Sequence, residues 1–231
     1  MITNQISAEQ IQREQVNFIN KVYSWMSFAL IITGLVAMWV ASNETLMMSI
    51  FSNSLIFWGL IIAQFACVGY LIGAIEKMSA QLATSIFIGY SALMGLTFSI
   101  VFVIYTTDSI ASTFFITAGT FAIMSIYGYY TKKDLTSIGN LAFMGLIGII
   151  IASVVNWFMA SAMLYTIITY IGVLVFVALI AYDTQKIKNM NIIGNEGTEE
   201  DKKEAIMGAL ILYLDFINLF LFLLRIFGNR K

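Results

Sequence analysis

The sequence contains no histidine and no proline. Without histidine, the chain has no imidazole ligand for a metal and no histidine-dependent catalytic triad. Any change of protonation between about pH 5 and 8 must therefore come from carboxyl groups in an unusual environment. Without proline, any helix kink must come from glycine or from packing. Cys67 is the only cysteine, so no internal disulfide can form, and its apolar surroundings predict a small buried hydrophobe.

Charge is also scarce. Only 11% of the residues are charged and 60% are hydrophobic, with a mean hydropathy of +0.87, whereas soluble domains are about a quarter charged. So few charged residues are not enough for the exposed surface of a water-soluble protein. Helices in a lipid bilayer expose apolar side chains to lipid and need no charged surface there. A net charge of −1 without a basic cluster gives no footprint for nucleic acid. The expected solvent is the lipid bilayer, and no nucleic-acid partner is expected.

Apolar runs of about 20 residues, the length that spans a bilayer, follow one another along the chain. Seven such runs lie near 22–41, 54–74, 82–104, 110–130, 137–159, 163–182 and 205–227. The more polar residues 1–21 predict an N-terminal interfacial segment. We therefore predict an all-α integral membrane bundle of seven transmembrane helices in a single domain, 1–231.

Lysine and arginine alternate between successive connections, and cytoplasmic connections are enriched in both residues. They precede the first span and recur after the second, fourth and sixth spans, whereas the other connections have none. This pattern predicts a multi-pass protein of the cytoplasmic membrane with a cytoplasmic N-terminus. Arg225, Arg230 and Lys231 break the pattern. Either 205–227 crosses fully, which we favour because Gly208 is its only helix weakener, or it forms a re-entrant hairpin.

Two aspartates in the apolar runs are the candidate functional residues. Asp215 lies in the middle of the last run, and Asp183 ends the sixth run at the predicted cytoplasmic side. A carboxylate in hydrocarbon costs several kcal/mol, so such residues are functional candidates by default. The alternative is structural: Asp215 would hydrogen-bond neighbouring helices, and Asp183 would be solvated at the interface. If the two share a site, the pair would bind a proton or a cation.

Three further residues are candidate supporting groups. Asn218 follows Asp215 by three positions and so lies on nearly the same helix face, while Tyr182 and Tyr213 lie close to the aspartates in sequence. The Tyr182-Asp183 pair also resembles half of the presenilin-type protease motif, but the matching Gly-x-Gly-Asp is missing. No nucleophile–base arrangement and no nucleotide-binding glycine motif occurs. The sequence predicts no enzyme and no cofactor.

The chain contains the motifs AYDTQ at 181–185 and LYLDFINLF at 212–220, and its seven spans are joined by short loops. In these features it resembles the bacterial members of the transmembrane Bax inhibitor motif family. The span layout extends the resemblance over nearly the whole chain. The diagnostic residues are confined to the last fifty.

The resemblance implies a seven-helix bundle with the last helix central and a pH-sensitive calcium leak. The family's paired aspartates map onto Asp183 and Asp215, which would share a proton in the closed state and form the pH sensor. Ca²⁺ would be the permeant ion, with these carboxylates as its ligands, because Ca²⁺ prefers oxygen. Some relatives hold the first aspartate with an arginine of the second span. Here 54–74 contains no basic residue.

Three functions stay open at this point. The first is a calcium or cation leak channel for ion transport, with pH sensing through the aspartate pair. The second is a proton-coupled cation exchanger that uses the same pair as its carrier site. The third is a non-transporting modulator of membrane proteases or stress responses, which would bind membrane protein partners through the N-terminal segment or 183–204.

Overall fold

The computed structural model describes residues 8–231, and within this range the chain forms eight α-helices and no β-strand. They are α1 Ala8–Ala41, α2 Glu44–Phe51, α3 Ser54–Ala74, α4 Ala80–Ile104, α5 Thr107–Tyr130, α6 Thr136–Met159, α7 Ala162–Met190 and α8 Glu199–Phe227. All except α2 are long and apolar enough to cross a membrane. The prediction of an all-α protein with seven membrane spans is confirmed.

The structure differs from the prediction at the start of α1, in the presence of the short helix α2 and at the end of α7. The described part of the predicted interfacial segment is continuous with the first span in α1, because no residue there breaks the helix; residues 1–7 of that segment lie outside the described residues. Helix α2 was not predicted, and its first turn is capped by Asn43, whose side chain accepts a hydrogen bond from the Leu46 N–H at 3.1 Å. Helix α7 continues to Met190, so Asp183 lies inside a helix.

Helix α8 begins at Glu199, six residues before the predicted run 205–227. The Asp201 N–H donates to the Thr198 hydroxyl, which caps the helix. The helix then runs to Phe227 without a break, so the hairpin alternative has no turn on which to form. The most apolar window of α8 is 72% buried, against 11–39% for the other spans. Most of the surface of α8 is therefore covered by protein, whereas the other spans expose apolar faces of the kind that lipid covers.

The chain packs as two compact units, to both of which α7 and α8 contribute. The first unit comprises residues up to 103 together with 187–213. Its interior contains the fully buried Tyr213, whose hydroxyl hydrogen-bonds Thr33 at 2.7 Å and whose ring packs edge-on against Phe87 and Tyr90. At one end of this unit, Lys21 pairs with the buried Asp201 at 2.7 Å.

The second unit comprises 104–186 together with 214–231. Glycines set the close approach of its helices: a methyl group at Gly128 of α5 would overlap the backbone carbonyl of Ala181 on α7, and one at Gly139 of α6 would overlap the Tyr182 ring. At the other end of the unit, the Thr106 N–H donates to the Asn229 carbonyl at 2.9 Å. The pieces of α5, α6, α7 and α8 that carry the candidate site are thus packed against one another in this unit.

Gly128 provides a test of this packing. We expect Gly128→Ala to destabilise the protein by about 1–3 kcal/mol, because α5 and α7 must separate to admit the methyl group. Gly119→Ala, on the same helix, meets no atom within 4 Å and is the matched control. Thermal unfolding of both variants in detergent measures the effect. Equal midpoints for the two would show that the α5–α7 contact is not tight.

Candidate functional site

Asp183 of α7 and Asp215 of α8 meet in the second unit, where their side chains hydrogen-bond to each other. They are 9% and 6% exposed. Two ionised carboxylates have no hydrogen to donate, so this contact requires a proton on one of the two groups. At least one of the two carboxyl groups is therefore protonated whenever the pair is hydrogen-bonded.

One carboxyl oxygen of Asp215 meets no N–H or hydroxyl donor of the described residues. This Oδ2 atom is buried. Leaving a buried acceptor unpaired costs about 1–3 kcal/mol, and such atoms in native structures are rare. An oxygen in this state is available to a proton, a water molecule or a cation.

The basic group that acts on Asp183 is Lys186, one turn further along α7. Its ammonium group is exposed and lies 6.0 Å from the centre of the Tyr182 ring. Helix α3, which covers the predicted span without a basic residue, belongs to the first unit. In this chain, the positive charge beside Asp183 comes from the helix of Asp183 itself.

Residues 184 and 185 fix the position of Asp183. The Thr184 hydroxyl is buried and donates to Ser125 of α5 at 3.3 Å. The Gln185 side chain accepts from the Leu135 N–H and donates to the Lys133 carbonyl, both at 2.9 Å. One turn of α7 is therefore bonded both to α5 and to the loop 131–135 between α5 and α6.

Aromatic packing fixes the position of Asp215 on the other helix. The next residue, Phe216, lies with its ring centre 5.4 Å from that of Phe114 and 5.6 Å from that of Phe121, both on α5. Phe216 is 4% exposed and Phe121 is 5% exposed. Helix α5 thus contacts the residues next to both aspartates.

The three supporting candidates make other contacts. The Tyr182 ring packs over Gly139, and Asn218 donates to the Leu214 carbonyl of its own helix at 2.8 Å. Tyr213 bonds Thr33 in the first unit. None of these contacts involves a carboxylate oxygen of the pair.

Sequence reasoning missed Thr184, Gln185 and the role of α5. The signal for the first two was present, since both residues belong to the AYDTQ motif. The signal on α5 is a polar residue at nearly every fourth position, which indicates one helix face.

A resident metal ion needs more ligands than this pair offers. Within residues 8–231, no group of three or more Cys, Asp or Glu side chains lies close enough to hold a metal ion. Two carboxyl groups supply at most four oxygens, whereas Ca²⁺ takes six to eight. A Ca²⁺ ion at the pair would keep much of its water.

Comparison with known proteins shows what the chain is similar to. The family model described as inhibitor of apoptosis-promoting Bax1 matches residues 15–231. Inner membrane protein YbhL of Escherichia coli strain K12 is 53% identical over 215 residues, which is 93% of this chain and 92% of that protein. Proteins of Borreliella burgdorferi and Deinococcus radiodurans are 48% and 40% identical; the first match covers 93% of this chain and 92% of the relative, the second 100% and 96%.

The Gln185 contacts predict a protease phenotype. We expect Gln185→Leu to free the loop 131–135, because both hydrogen bonds to it are lost. Two hydrogen bonds of about 1 kcal/mol each would together change the opening equilibrium of the loop about thirtyfold. Because the remaining packing still holds the loop in part, we expect trypsin to cleave after Lys132 or Lys133 about tenfold faster. Gln81→Leu, at an exposed position of α4, is the control. Equal cleavage rates in both variants would show that Gln185 does not hold the loop.

Proposed function

The chain belongs to the family of inhibitors of apoptosis-promoting Bax1, and we propose that this multi-pass membrane protein is a pH-sensitive cation leak closed by the Asp183–Asp215 pair. The observation that carries the proposal is the hydrogen bond between two buried carboxyl groups on neighbouring helices. Within the described residues 8–231, none of the buried side chains is a lysine or an arginine. The pair is thus held together by a proton, which makes it sensitive to pH.

Loss of that proton supplies the force for opening. Two carboxylates about 4 Å apart repel by about 4 kcal/mol at an effective dielectric constant near 20. The hydrogen bond between the two groups is lost at the same time. Loss of one proton therefore destabilises the closed state both by repulsion and by removal of this hydrogen bond. The Lys186 charge offsets part of the repulsion. Raising the pH should therefore separate α7 from α8 at this point.

The same change creates an attractive site for a cation. A doubly ionised pair offers hard oxygen ligands, which suit Ca²⁺. Because the pair alone does not complete the Ca²⁺ coordination shell, the ion would be bound briefly, with water, and released. This is the behaviour of a permeation site, and Ca²⁺ is then the transported ion.

The basic connections give the proposed orientation. Lys132 and Lys133 follow α5, and Lys186 lies near the end of α7, so these charges belong to connections on one side of the membrane. By the enrichment of lysine in cytoplasmic loops, this side faces the cytoplasm, together with the N-terminus. The carboxylate of Asp183 would then sense cytoplasmic pH.

Asp215→Asn is the first test of the proposal. Asparagine donates a hydrogen bond to Asp183 at every pH, so we expect a permanently closed protein with low Ca²⁺ flux between pH 5 and 8. The wild type should show flux that rises with pH. Ca²⁺ entry into dye-loaded proteoliposomes measures both proteins side by side.

Asp134→Asn is the matched control for this experiment. Hydrogen bonds from Thr136 hold the pKa of Asp134 below its ordinary value, so its exposed carboxylate is ionised over the whole range and the substitution should leave the flux profile unchanged. Wild-type flux that falls with pH would contradict the shared-proton lock. Flux strictly coupled to a proton gradient would favour the exchanger, and no flux at any pH would favour the non-transporting modulator.

Lys186→Gln tests the charge beside the pair. The ammonium group favours the ionised form of Asp183, so its removal should shift the flux–pH profile to higher pH without abolishing flux. Lys132→Gln, in the exposed part of the loop 131–135, serves as the control of equal charge. Identical flux–pH profiles for the two variants would show that Lys186 does not influence the pH response of the pair.

A further inference from the structure

A line of buried hydroxyl groups, spaced by multiples of four residues, winds along most of α5. Ser109, Thr113, Thr117 and Ser125 recur at multiples of four residues, with Phe121 at the remaining position of the series. Their exposures are 4%, 0%, 0% and 4%. Residues four apart lie one above the other on a helix. We call these four residues the hydroxyl stripe.

The stripe contains an unsatisfied oxygen. The Thr113 hydroxyl is buried and has no hydrogen-bond partner among the described residues. A helical threonine ordinarily bonds the carbonyl four residues earlier, as Thr117 does to Thr113 at 2.8 Å. For Thr113 that carbonyl belongs to Ser109, and it accepts from the Ser112 hydroxyl instead. Packing alone gives no reason for a hydroxyl here, because valine has nearly the same shape.

The two ends of the stripe reach polar groups. At one end, the Ser109 hydroxyl lies 3.1 Å from that of Thr106 and 3.4 Å from the Asn229 carbonyl. At the other end, Ser125 accepts from Thr184 at 3.3 Å, next to Asp183. The stripe therefore runs from the loop before α5 to Thr184, the residue that follows Asp183 in α7.

An aromatic contact interrupts the stripe. Phe121 occupies the position between Thr117 and Ser125, and its ring centre lies 5.6 Å from that of Phe216. Phe216 directly follows Asp215 in α8. An apolar constriction stops ions because water leaves it, and a small displacement of the rings rewets it. Separation of the carboxylates would move the backbone that carries Phe216.

We propose that the hydroxyl stripe is the route of the cation through the second unit, and that the Phe121–Phe216 contact is its gate. This inference rests on the proposed cation leak and adds the path and the closing element. The ion keeps part of its water and exchanges the rest for hydroxyl oxygens. Along α5, Thr113 with its unpartnered oxygen lies on one side of Phe121, and Ser125 lies on the other.

The first experiment removes oxygens without changing shape. Thr113→Val, Thr117→Val and the double variant should reduce Ca²⁺ flux in proteoliposomes about fivefold per hydroxyl, the factor expected for one lost polar contact. Thr113→Val should not lower thermal stability, because its hydroxyl has no partner to lose. The control is Thr120→Val on the same helix, whose hydroxyl bonds the Ile116 carbonyl at 2.9 Å. A double variant with the flux of this control overturns the route.

The second experiment opens the gate. Phe121→Ala should raise flux at the pH where the wild type is closed, and the milder Phe216→Leu should do so to a smaller extent if the alanine variant does not fold. Phe115→Ala, at a position 73% exposed on α5, is the control. Flux at the control level in a folded gate variant overturns the gate.

A third measurement separates this inference from the proposed function. In a Cys67→Ser background with Phe121→Ala, Thr117→Cys should react with a water-soluble cationic methanethiosulfonate reagent faster than Thr120→Cys does. This readout does not require Ca²⁺ flux. If the wild type transports no Ca²⁺ but the labelling rates differ, the proposed cation leak is wrong. The inference that water reaches the hydroxyl stripe is then still supported. Equal labelling rates overturn the stripe as a water-accessible route, whatever the flux.

Discussion

The cost of placing charge in hydrocarbon governs this structure. An ionised carboxylate in a bilayer costs several kcal/mol, yet Asp183 and Asp215 both lie inside long apolar helices. In the proposed closed state they are tolerated there because they share a hydrogen bond and, with it, a proton. The pair has less charge than two separate aspartates, and the surrounding helices can close over it. The surrounding contacts follow from this requirement, since a shared proton needs two oxygens at hydrogen-bond distance.

Small residues on one helix and large ones on the next provide that distance. Gly128 lets α5 approach the backbone of α7 at Ala181, two residues before Asp183. Phe216, one residue after Asp215, fills the space that α5 leaves between Phe114 and Phe121. The aspartates are thereby positioned by apolar contacts and by the hydrogen bonds of the uncharged Thr184 and Gln185 side chains, none of which changes with pH. Only the hydrogen bond between the two carboxyl groups depends on a proton.

Much of this architecture follows from the sequence. Apolar runs of bilayer length predict the spans, and the cost of a buried charge singles out both aspartates. The sequence does not predict the contacts of Gln185 with the loop 131–135, because they join segments that lie fifty residues apart. Nor does it show that Tyr213 and Asp215, two residues apart, belong to different compact units. Helical periodicity tells which residues share a face, but it does not tell which neighbour meets that face.

The backbone contacts at the end of α8 have a mechanical consequence. The Thr106 N–H donates to the Asn229 carbonyl, and the Lys231 N–H donates to the Ile104 carbonyl, both at 2.9 Å. These bonds tie the end of α8 to the connection between α4 and α5. A helix held at its end does not slide along its own axis. Because Tyr213 also holds α8 two residues before Asp215, a force at the pair should turn α8 about its axis rather than displace it lengthwise.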